Sequence, residues 1–145
     1  MNQKQAYLDL QKKQQDEMAA FPIAYAFNAK QGEEALEKLG ATKLECVTYF
    51  GHGDILKRKD VSAFEAMLMR HDKEMKEAMK DEEFAVAAFV YEMYNHEYAI
   101  NYDGDAEVLA AFAMDENDLD ELGLKNAYKR ARRQYFKESQ EGELN

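Results

Sequence analysis

The sequence predicts an α+β fold: a small sheet of three or four strands packed against several helices, in a single domain covering residues 1–145. Three observations carry that prediction. Apolar residues recur at helical spacing over long stretches, but in three short places the period falls to two. The elements come in mixed order (strand, helix, two strands, two helices, strand, then helices), which points to α+β. A hydrophobic fraction of 46%, with 9 Tyr and 8 Phe, supplies a core for one domain of this length.

Residues 2–20 read as a helix with a thin apolar stripe through Ala6, Tyr7, Leu10 and Met18. Pro22, the chain's single proline, stops it. Ile23, Tyr25 and Phe27 alternate with Ala24 and Ala26 as a first strand. Asn28 stands three before Gln31, a capping-box spacing, and opens a helix that Gly40 closes. Leu44 to Phe50 is strand-like, Gly51-His52-Gly53-Asp54 turns the chain, and Ile55-Leu56 pairs back. Ser62 with Glu65 is a second capping box, for a helix reaching Lys80. Asp81-Glu82-Glu83 suits the positive end of a helix over 82–96, apolar nearly all round and so central. Tyr98, Ile100 and Tyr102 read as a fourth strand. Asp103-Gly104 is a turn, and Asp105 caps a helix through Met114. Asn117 or Asp118 begins another turn of helix, and Lys125 to Lys137 is the last helix. Residues 138–145 read as a frayed tail.

Charge is distributed unevenly. From Asp81 to Glu121 the chain has thirteen acidic residues and neither Lys nor Arg, so the net charge of −10 comes from this one segment. The segment is also rich in apolar residues, so it belongs to folded structure and not to a disordered acidic tail. Its carboxylates have two readings, a solvated face or an interaction surface imitating the phosphate array of a nucleic acid. On the second reading the contact residues are Glu97, Asp103, Asp105, Glu107, Asp115, Glu116, Asp118 and Asp120. Direct binding to nucleic acid or an anionic membrane is disfavoured by the acidic balance. The basic outer face of the last helix (Lys129, Arg130, Arg132, Arg133) reads as internal neutralisation of part of that segment.

No catalytic signature is present. His71, Glu92 and His96 form the best metal or acid–base constellation, since Glu92 and His96 are four apart on one helix face. The sequence has no HExxH, no CxxC and no fixed spacing between the halves, so a structural role is the preferred reading and no cofactor is expected. Gly51-His52-Gly53 lacks the spacing of a phosphate loop and reads as a hairpin turn. Cys46 reads as a buried strand thiol, and the clustered methionines as core filler. A lone cysteine and a start without signal-like character (Met1-Asn2-Gln3-Lys4) point to the cytoplasm.

FNAKQGEEALEKLG, followed by HDKEMKEAMKDEEFAVAAFVYEMYNHEY, resembles a family of small uncharacterised proteins of bacteriophages and mobile elements of gut-type bacteria. The likeness runs from about Tyr25 to Asp103 and centres on His71, Glu74, Ala78, Asp81, Phe84, Ala88, Tyr91, Glu92, Asn95, His96, Glu97 and Tyr98. The resemblance implies a setting, the bacterial cytoplasm, and carries no catalytic residue with it. By analogy of size and charge it implies a host-defence inhibitor of the anti-CRISPR kind. The expected function is therefore a non-enzymatic acidic protein that blocks a basic nucleic-acid-binding surface of a host protein, for instance a CRISPR effector. A small metal-binding protein or hydrolase using His71, Glu92 and His96 is the alternative. A phage accessory or structural protein without inhibitory role is a third reading.

Overall fold

The computed structural model describes residues 2–144. The fold is α+β, with seven α-helices and a three-stranded antiparallel sheet among the described residues. The chain forms two compact units, Met1–Lys13 with His71–Asn145, and Gln14–Arg70. We call them the helical unit and the sheet unit. Helices α1 (Gln3–Ala20) and α3 (Val61–Met79) contribute residues to both.

In the sheet unit, β1 (Ile23–Tyr25) and β2 (Cys46–Val47) flank β3 (Asp54–Lys57), with Ile23 opposite Leu56 and Cys46 opposite Lys57. Alternation along β3 sends successive side chains to opposite faces. Leu56 packs with Ile23, Phe64 and Met67. Ile55 lies on the other side, against Ala24, Ala35 and Leu39 of helix α2 (Ala29–Leu39). Both faces of this small sheet are thus covered. The Asn28 side chain accepts from the Gln31 backbone at 2.9 Å, the expected cap, and Gly40 ends α2 at a φ of 63°. The strand expected over 44–50 is shorter. Lys43–Glu45 forms a 3₁₀ turn, and only Cys46–Val47 pairs with β3. A second 3₁₀ turn, Arg58–Asp60, leads into α3, so Ser62 lies inside the helix instead of capping it.

The helical unit is organised around α4 (Glu82–Asn95), which buries Phe84, Ala85, Val86, Ala88, Phe89, Val90, Glu92 and Met93. A helix apolar on every side needs neighbours on several sides. Tyr7 of α1 meets Phe84 edge-on at 6.1 Å, Phe112 meets Phe89 at 5.1 Å, and Tyr128 meets Phe89 at 5.1 Å. Helix α7 (Lys125–Leu144) follows α4 in the same direction, since Tyr128 lies at Phe89 and Tyr135 at Tyr94. It continues past Lys137 through the stretch expected to fray, as far as Leu144; Asn145 lies outside the described residues.

No fourth strand forms. Residues 98–101 have no strand partner among the described residues; Tyr98 is buried and Ile100 is 65% exposed. Asn101 caps α5 (Tyr102–Ala110) by accepting from the Gly104 backbone at 2.6 Å, so Asp105 is not the cap and the helix ends before Met114. Gly104 belongs to the first turn of α5, not to a loop. A Cβ there would collide with the Ala99 carbonyl oxygen, so the close approach requires glycine. Helix α6 (Glu116–Glu121) starts one residue before Asn117 and is capped by Asp115.

Candidate functional site

The structure gives the eight carboxylates singled out in the sequence unequal roles. Asp115 and Asp118 form a reciprocal capping box, with backbone-to-carboxylate bonds of 2.9 and 3.0 Å. Each satisfies a donor that the start of α6 would otherwise leave open. Asp105 is turned inward, where one of its oxygens accepts from the Tyr98 hydroxyl at 2.6 Å and from the Tyr128 hydroxyl at 2.5 Å. Asp120 pairs with Lys125 at 3.5 Å. Glu97, Asp103, Glu107 and Glu116 are exposed, and no Lys or Arg reaches them among the described residues. The basic α7 neutralises the segment only locally: Arg130 bonds Glu82 at 2.7 Å and Glu83 at 2.8 Å.

The Asp105 cluster links α5, α7 and the segment leading into α5. Burial, and then the Asp105 carboxylate, push both the Tyr98 and Tyr128 hydroxyls up, so both remain protonated donors. Sequence reasoning missed this network because Tyr128 and Asp105 are 23 positions apart, and no local spacing signals such a contact.

His71, Glu92 and His96 do not gather. His71 and Glu92 are buried, while His96 ends α4 in solvent. Among the described residues their ligand atoms do not come within 4.8 Å of one another as a set. Glu92 is nevertheless unusual. Burial raises its pKa above the ordinary glutamate value, against the opposing pull of His96, Asn95 and Tyr7. Its Oε2 accepts no hydrogen bond.

A second buried carboxylate, Asp54, also went unread. The loop between β2 and β3 wraps around it. Its oxygens accept from the backbone of Tyr49 at 2.6 Å, Phe50 at 2.9 Å and His52 at 3.2 Å, and from the Thr48 hydroxyl at 3.0 Å. Gly51-His52-Gly53 is thus a structural turn, with both glycines at positive φ. Cys46 is half-buried on β2 with its thiol free.

A groove of about 540 Å³ runs along α4 in the helical unit, between the first turn of α1 and α7. Val86, Ala87 and Val90 form its floor, Tyr91 and Tyr94 its walls, and Glu83 and Glu138 stand along its rim. No helix is long and apolar enough to cross a membrane among the described residues.

These features define an α+β protein whose helical unit carries an acidic segment without Lys or Arg and an open groove. Residues 6–134 match the model described as Family of unknown function (DUF7659), and the chain belongs to that family. No curated protein and no solved structure matches it.

Proposed function

We propose that this chain is a non-enzymatic binding protein whose acidic helical unit occupies a basic, nucleic-acid-binding surface of a partner protein. The observation that carries this reading is the set Glu97, Asp103, Glu107 and Glu116, exposed and in no ion pair among the described residues, on or beside helices that fix their backbone positions. A merely solubilising surface interleaves Lys with Glu. Here the cations of α7 form ion pairs with Glu82, Glu83 and Asp120 and with none of these four among the described residues. Ordered carboxylates of this kind compete with phosphates for Lys and Arg in a cleft. The setting that goes with the reading is a phage or mobile-element gene acting in the bacterial cytoplasm, with a CRISPR effector as one partner of suitable chemistry.

The test uses the four exposed residues and spares the capping pair. Bacterial lysate is passed over the immobilised protein and over the variant with Glu97→Gln, Asp103→Asn, Glu107→Gln and Glu116→Gln. Captured proteins are then assayed for nucleic-acid binding with and without the chain. The reading expects capture that weakens steeply with salt, loss of the captured protein's nucleic-acid binding, and failure of the variant. If the variant captures and inhibits as the wild type does, the surface is only a solvated face.

A further inference from the structure

We propose that the groove along α4 binds a linear aliphatic polyamine. The inference does not rest on the partner reading above. It starts from the mismatch between α4, apolar on all sides, and its incomplete cover. Glu83, Ala87, Tyr91 and Tyr94 recur at helical spacing along one stripe and line the open groove. An alkyl chain suits the half-buried Ala87 and the Tyr91 and Tyr94 rings beside the buried Val86 and Val90, because its methylenes take the remaining apolar surface there out of water.

The charged groups specify cationic ends. Glu138 accepts from the Tyr94 hydroxyl at 3.0 Å and from the Gln134 side chain at 2.8 Å, both neutral donors, so its charge is uncompensated. Glu83, at the other end of the stripe, is shared with Arg130. From Glu83 to Tyr94, where Glu138 docks, α4 advances about 16 Å at its helical rise. Extended spermine matches that span, and spermidine falls one aminopropyl arm short. The groove also displays its own preference. The Lys4 ammonium lies over the Tyr91 ring, 5.9 Å from its centroid, so this wall already holds an alkylammonium. Tyr94, 47% exposed, offers a second ring further along. The surrounding acidic segment raises the local concentration of any polycation.

Calorimetric titration of the full chain with spermine, spermidine, putrescine and magnesium chloride tests the site. The proposal expects saturable one-to-one binding of spermine, weaker binding of the shorter amines, and none of this for magnesium. Glu138→Gln and Tyr94→Ala should each weaken spermine by about tenfold, and Lys4→Gln should tighten it by removing the competing ammonium. Glu107→Gln, on the acidic surface away from the groove lining, should change little. Circular dichroism and thermal melts establish that each variant is folded, and the exposed Lys4 position remains informative if the Tyr94 variant is not. Absence of spermine binding, saturation by magnesium with equal affinity, or equal weakening by Glu107→Gln and Glu138→Gln overturns the site.

Discussion

Asp54 and Glu92 are both buried carboxylic acids, at 1% and 2% exposure, yet their acidities are displaced in opposite directions. Burial pushes both upward. At Asp54 the N–H groups of Phe50, Tyr49 and His52, with the Thr48 hydroxyl, outweigh it and hold the carboxyl well below its ordinary range. At Glu92 the help from His96, Asn95 and Tyr7 is insufficient, and the pKa stays raised. The sheet unit folds a loop around its acid, whereas the helical unit places its acid in the core with Oε2 unmatched. Burial alone therefore does not fix the state of a carboxyl; the number of donors aimed at it does.

Removing Asp54 should have the largest effect. Asp54→Ala leaves several inward-pointing N–H groups without an acceptor and should cost about 3 kcal/mol in a urea melt. The stabilisation from Asp54 is fully present above its unfolded pKa of about 4 and is lost as pH falls through its lower folded value. Acid should therefore loosen the 48–54 loop, read as faster amide exchange at Tyr49 and Phe50. An Asp54→Ala variant as stable as the wild type breaks the comparison.

Glu92 should behave in the opposite sense. Its penalty is present above its raised folded pKa and vanishes below the unfolded value of about 4.3. Glu92→Gln should stabilise the chain by about 1 kcal/mol at pH 8, and the gain should fade on acidification toward pH about 4. Destabilisation at pH 8 would mean that the charged form has a partner the geometry does not supply.

The same contrast extends to the surface. Asp115→Ala removes an N-cap and should cost about 1 kcal/mol, while Glu107→Ala, exposed and unbonded, should stay within about 0.5 kcal/mol. Thermal melts of the two single variants decide it. Charge-reversal experiments that include Asp115 or Asp118 would mix lost stability with lost contact, so the two effects must be separated.

What could be read in advance follows from locality. Helix α2 was legible at both ends because Asn28 caps it and Gly40 holds its left-handed exit, and both requirements are written in the residue type. The ends of α4 were legible to within a residue, 82–96 expected against Glu82–Asn95, but the path of the chain after it was not, nor was the end of α5. Each helix finishes with paired bonds back into the last turn, from Tyr98 to Met93 and from Met114 to Leu109, but the left-handed positions are Glu97 and Ala113. Without glycine there, the alternation of Tyr98, Ile100 and Tyr102 resembled a strand. The acidic segment was visible from composition. Its division into capping, buried and free carboxylates was not, since Asp105 is held by tyrosines distant in sequence and Asp118 stands where a capping box usually has Glu or Gln.

Glu97 has the smallest effect and joins both arguments. Its φ of 49° suits glycine, and it is also one of the free carboxylates. Relief of left-handed strain of roughly 1 kcal/mol is partly offset by the greater unfolded-state freedom of glycine, so Glu97→Gly should stabilise by about 0.5 kcal/mol. Ala113→Gly, at a φ of 55° and uncharged, should give a similar gain and serves as the control. If Glu97 also contacts a basic partner, Glu97→Gly should raise the melting temperature and weaken binding together, whereas Ala113→Gly should raise it alone. A loss of stability in both would remove the account of how α4 and α5 end; equal binding by both would remove Glu97 from the interaction surface.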